Sequence, residues 1–80
     1  MIKHMTRGHI EFEFDGKPVT IPGEALLPGH GSPDFVIFSA MLKTWGPPNT
    51  GEPLDDATKK RLLAAAVAEM KEIGMTVEID

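Results

Sequence analysis

The sequence predicts an α+β domain: a small, mostly antiparallel sheet with an N-terminal β-hairpin, one long amphipathic helix packed on one face, and a C-terminal strand. Three observations predict it. Apolar and polar residues alternate on both sides of Asp15-Gly16, an apolar stripe of helical period runs between Asp55 and Gly74, and alternation returns from Met75 to Asp80.

The hairpin is the sharpest of the three. Asp-Gly is among the strongest two-residue turn signals, because both central positions of a type I′ turn need positive φ. Placing Asp15 and Gly16 at the turn centre pairs Phe14 with Lys17, Phe12 with Val19 and Ile10 with Ile21. The apolar residues of both strands then share one face, while Glu11 opposite Thr20 and Glu13 opposite Pro18 occupy the other. A slip of one residue would reverse every side chain, so the agreement of turn and pattern fixes the register. Pro18 lacks an N–H, and its donor position is expected to point away from the ladder.

Pro22-Gly23 reads as the end of the second strand, and Glu24-Ala25-Leu26-Leu27 as a short apolar strand or a single turn. Residues 28–33, Pro-Gly-His-Gly-Ser-Pro, form a loop by composition. Phe35-Val36-Ile37-Phe38 is a buried strand bounded by turn residues, and Ser39 to Trp45 either extends it or turns once as helix. Residues 46–53 carry three prolines and two glycines, which requires an irregular surface connection.

The helix is expected from about Asp56 to Ile73, with Asp55 as its N-cap and Asp56 on the positive end of the helix dipole. Leu62, Leu63, Ala66, Val67, Met70 and Ile73 fall within an arc of about 140° at about 100° per residue. Gly74 occupies the position of a left-handed C-terminal cap. One helix cannot cover a sheet on both sides, so one sheet face is left to solvent or to a contact.

Composition narrows the function. Eighty residues make a single domain near the lower size for an independent core, assigned to 6–80. Residues 1–5 are set aside as a disordered N-terminal segment or a remnant of recombinant expression, with Met5 as the alternative initiator. Without cysteine the chain has no disulfide or thiolate metal site, which fits a reducing, cytoplasmic setting. No apolar run approaches the roughly 20 residues that cross a bilayer. A net charge of −4 disfavours nucleic acid and anionic membranes as partners and favours a cationic one.

No constellation carries chemistry. His4, His9 and His30 lack ligand spacing, so neither a metal nor another cofactor is expected. Gly29-His30-Gly31-Ser32 lacks the strand, helix and lysine of a phosphate loop. Ser32 and Ser39 lie outside any nucleophile elbow. Glu11 and Glu13 share a strand face about 7 Å apart, but nothing encloses them to raise a pKa for acid–base work. They read as a solvated acidic face that can also meet a basic partner. Trp45 reads as a lid over the sheet edge, with an interface anchor as the alternative. The partner-binding candidates are Glu11, Glu13, His30, Asp34 and Trp45, and the chain is expected not to be an enzyme.

The ordered elements Thr6-Arg7-Gly8, Pro22-Gly23-Glu24, Ser32-Pro33-Asp34-Phe35-Val36-Ile37, Trp45, the proline-containing loop, the helix and Gly74-Met75-Thr76-Val77-Glu78 resemble the immunity protein 74 group of bacterial polymorphic toxin systems. The resemblance spans the chain from about residue 6. It implies a cytoplasmic protein that binds and neutralises a cognate toxin. Toxins of such systems are often nucleases, which suits an acidic inhibitor. The alternative is a small homodimeric or accessory subunit that uses its uncovered sheet face for assembly.

Overall fold

The computed structural model describes residues 1–27 and 31–80. The elements are β1 (Ile2–Met5), β2 (His9–Phe14), β3 (Lys17–Ala25), β4 (Phe35–Ile37), a 3₁₀ turn (Ser39–Met41), α1 (Asp56–Glu72) and β5 (Val77–Ile79). The five strands lie side by side in chain order. The first three pairings are antiparallel. β4 and β5 are parallel, which requires a crossover, and α1 supplies it. This is the α+β architecture expected.

The β2–β3 hairpin has the expected register, with Phe14 opposite Lys17, Phe12 opposite Val19 and Ile10 opposite Ile21. Asp15 and Gly16 adopt φ of 52° and 76°, both positive as a type I′ turn demands. Ile10, Phe12, Val19 and Ile21 are buried on one face together with Phe35 and Ile37. From α1, Leu62, Leu63, Ala66 and Met70 close the core over them.

Both helix caps are satisfied. The Asp55 carboxylate accepts the Thr58 N–H at 2.6 Å. That bond holds its pKa below the ordinary 3.8. At the other end Gly74 has φ +83°. Its N–H donates to the Lys71 carbonyl at 3.0 Å, and the Met75 N–H donates to the Met70 carbonyl at 2.9 Å. This is the Schellman pattern, which satisfies carbonyls that have no partner within the helix.

Three expectations are corrected and one open alternative is resolved. Residues 2–5, set aside from the fold, form β1 on the edge of β2, and a bulge between Ile2 and His4 lets Ile2 and Met5 both pack against the core. Second, β3 does not stop at Pro22-Gly23 but continues to Ala25. The missing Pro22 N–H faces the β4 side, where β4 has ended and only the Phe38 N–H remains, donating to the Pro22 carbonyl at 2.9 Å. Gly23 is required because a Cβ there would collide with the Phe35 ring and the Val36 carbonyl. Third, of the two courses expected for Ser39 to Trp45, the structure takes the turn, a 3₁₀ turn over residues 39–41. Fourth, Ile73 lies outside the core at 64% exposure, because it is the C-cap residue, where the backbone leaves helical geometry.

Candidate functional site

Alternation along the strands divides the sheet into two faces. Glu11, Glu13, Thr20, Glu24 and Glu78 are exposed and neighbour core residues in the sequence, so they project from the face opposite α1. Pro18, Pro22 and Val36 share that face by the same alternation. Val36, half-buried, stands between Glu24 and Glu78 in the paired rows of β3, β4 and β5.

Beyond the short β4, the chain returns to the free edge of β3. Gly46 donates its N–H to the Pro18 carbonyl at 2.9 Å, and a Cβ at Gly46 would come within 3.3 Å of that oxygen. The close approach places Pro47 beside the uncovered face. Together with Lys3, Glu11, Glu13, Pro18 and Thr20, Pro47 borders an open depression of about 270 Å³. A second depression of about 290 Å³ shares Thr20, Gly46 and Pro47 and extends to Pro22, Met41 and Lys43.

The expected contact residues do not assemble into one patch. Glu11 and Glu13 lie together on the uncovered face, with the Lys3 ammonium 3.8 Å from Glu13. His30 lies outside the described residues. Asp34 is occupied in the fold: its carboxylate accepts the Thr76 N–H at 2.8 Å, and its own N–H donates to the Thr76 hydroxyl at 3.1 Å. Trp45 is 7% exposed and belongs to the core. The Lys17 ammonium lies 5.2 Å from its ring centroid and bonds to Glu52 at 3.1 Å, so lysine closes the site from solvent. The lid expected of Trp45 is itself lidded.

Glu24, Glu78 and Pro47 were not among the sequence candidates. Counting alternation through Pro22-Gly23, instead of stopping there, would have placed Glu24 beside Thr20. Val77-Glu78-Ile79 already carried the signal for Glu78. Nothing local to Pro47 indicates that its segment folds back onto β3.

A hydroxyl–imidazole contact, Thr6 Oγ1 to His9 Nδ1 at 3.0 Å, belongs to the β1–β2 turn, where the same hydroxyl also accepts the Gly8 and His9 N–H groups. Among the described residues no group of three histidine, aspartate or glutamate side chains is placed to hold a metal ion. No described helix is long and apolar enough to cross a membrane.

Fold and surface together define a small sheet-and-helix protein with one sheet face uncovered, bearing carboxylates around an open depression. The chain belongs to the immunity protein 74 family, which it matches over residues 2–80. The family's description implies a protein partner in general terms. Comparison with curated proteins and with solved structures gives no match.

Proposed function

We propose that this protein neutralises a cognate bacterial toxin by stoichiometric, non-catalytic binding. Membership of an immunity protein family is the observation that supports this most directly. The surface chemistry is compatible: the carboxylates of the uncovered face are exposed and suited to pairing with cations. A net charge of −4 speeds encounter with a basic partner and suits work in the cytoplasm beside a nuclease-type toxin. Contact is placed on the uncovered face through Glu11 and Glu13. The 28–34 segment, with His30 and Asp34, and the Trp45 region are the other candidates.

The test is co-expression with the toxin encoded beside the gene, scoring host survival, and calorimetry of the purified pair. Rescue with a molar ratio near one supports the reading. Absence of both rescue and binding removes it. The accessory-subunit alternative would appear as self-association without rescue.

A further inference from the structure

The two edges of the sheet are finished differently. β1 is interrupted by the bulge between Ile2 and His4 and carries an exposed lysine, Lys3. Bulges and lysines are common means of keeping an edge strand from pairing with another chain. β5, at the other edge, runs in unbroken register with β4 and has neither lysine nor proline.

The main-chain directions on β5 follow from its bonds. The Thr76 N–H donates to the Asp34 carboxylate, the Thr76 carbonyl accepts the Phe35 N–H, and the Asp80 N–H donates to the Ile37 carbonyl. Thr76, Glu78 and Asp80 thus turn their main-chain groups toward β4. Alternation turns the Met75 carbonyl, both groups of Val77 and the Ile79 N–H the opposite way. Among the described residues none of these four groups has a main-chain partner. The side chains of Met75 and Val77 pack partly against the core, and Ile79 is 49% exposed at the rim.

An antiparallel copy of the same strand satisfies this edge. With Val77 opposite the second copy's Val77, the two exchange both of their bonds, and each Ile79 N–H meets the Met75 carbonyl across the axis. Met75 then faces Ile79, apolar against apolar, and Thr76 faces Glu78. The neighbouring registers are worse. Val77 opposite Ile79 sets Glu78 against Glu78, and Ile79 opposite Ile79 sets Glu78 against Asp80. Like charges directly opposite on paired strands are destabilising. A slip the other way brings Val77 against Met75, whose N–H already donates to the Met70 carbonyl.

We propose that β5 pairs antiparallel with β5 of a second copy of this chain, Val77 opposite Val77, so that one sheet continues across a two-fold axis. The pairing goes beyond the toxin-binding reading and leaves Glu11 and Glu13, on β2, clear of the contact.

The test is sedimentation of the purified full chain from about 1 μM to about 1 mM, where a monomer–dimer equilibrium is expected. In a mixture of ¹³C-labelled and unlabelled chains, isotope-filtered NOEs should join Thr76 Hα of one copy to Glu78 Hα of the other. Those residues form a non-hydrogen-bonded pair with α-carbons about 4.5 Å apart. Ile79→Pro removes an outward donor without touching the β4 ladder and should weaken the dimer about tenfold or more. Ile79→Lys, an edge lysine at an exposed position, should act likewise and guards against a folding defect in the proline variant. The control Met41→Lys, at 66% exposure and beside Pro22, should leave the equilibrium unchanged. A chain monomeric throughout, cross-copy NOEs at other residues, or a dimer indifferent to both Ile79 variants each overturn the proposal. A monomer whose Val77 and Ile79 amides become protected only when toxin is added also overturns it, and assigns the edge to the toxin. Rescue by a monomeric wild type sinks the pairing and leaves immunity standing. Pairing through β5 with no rescue sinks immunity and leaves the pairing.

Discussion

Asp34 and Thr76 clasp each other across 42 positions of sequence: Thr76 donates its N–H to the Asp34 carboxylate, and Asp34 donates its N–H to the Thr76 hydroxyl. The pair stands where β4 and β5 begin, and the Phe35 N–H also reaches the Thr76 carbonyl at 3.2 Å. Parallel strands lack a tight turn to align them. This clasp sets their register instead. Asp34→Ala is expected to cost about 1–2 kcal/mol, and Thr76→Val a similar amount. Urea titrations of both single variants and the double variant check it. Additive losses would mean that the two residues do not act as a unit.

The helix face is expected to dominate stability. Leu62 is fully buried and Leu63 nearly so, and Leu62→Ala should cost about 2–5 kcal/mol. In a domain this small that is a large share of the total. Lys71→Ala and Ile73→Ala, both at exposed positions, should move the urea midpoint little. Losses as large as that of Leu62→Ala would refute the orientation of α1.

Gly23 offers a test of packing against backbone freedom. Its conformation is an ordinary extended one, yet a methyl group there meets the Phe35 ring edge and the Val36 carbonyl. Gly23→Ala should therefore destabilise by about 1–3 kcal/mol through overpacking. Gly74→Ala, at positive φ with open space around it, should cost about 1 kcal/mol through backbone strain alone. Adding Phe35→Leu should relieve the first substitution in part, since the contact with the Val36 carbonyl stays, and the second not at all, as thermal midpoints of the double variants would show.

These residues also show where sequence was legible and where it was not. The Asp15-Gly16 hairpin could be read to the individual pair, because turn chemistry and alternation are both local and agree. Helix boundaries came within a residue, since Asp55 and Gly74 act on their own first and last turns. What failed was non-local. Pro22-Gly23 terminates a strand by every local rule and continues one here, because β4 ends opposite the proline and Phe35 lies over the glycine. Asp34 was named only as a partner-binding candidate, because Thr76, which it bonds in the fold, is remote in sequence. Of the candidate surface, Glu11 and Glu13 were readable from the hairpin, whereas Glu24 and Pro47 depend on that continuation of β3 and on the fold-back of Gly46.

Acid is expected to loosen the attachment of β1. The Ile2 N–H donates to Glu69 Oε1 at 2.9 Å, and the terminal ammonium lies 3.0 Å from Oε2. Hydrogen bonding from Ile2 is the largest influence on the carboxylate and holds its pKa below the ordinary 4.5. A depressed carboxylate contributes stability above its unfolded pKa and loses it as pH falls through the folded one. The contribution is thus present at neutral pH and fades as pH drops below about 4.5. Hydrogen exchange should show the amides of β1 losing protection in acid before those of β3. Glu69→Gln should remove this early step, and an unchanged order of loss in that variant would disprove the linkage.

The functional prediction concerns charge and its sign. Glu11 and Glu13 are exposed and point away from the core, so Glu11→Lys with Glu13→Lys should preserve the denaturation midpoint within about 0.5 kcal/mol per site. The same change places two positive charges where a basic partner approaches. Rim charges act mainly on association, and their effect is screened by salt. Stopped-flow mixing with the toxin encoded beside the gene should therefore show slower association for the double variant at low ionic strength, with dissociation little altered. The difference should shrink as salt rises toward 1 M, where the Debye length is about 3 Å. Host survival in co-expression should fall in parallel. Trp45→Ala is a poorer probe, because the ring is core and its loss disturbs packing before any contact. If the double lysine variant associates as fast as the wild type at low salt and rescues fully, the contact does not lie on this corner of the sheet. If the wild type itself neither binds nor rescues, the immunity function falls with it.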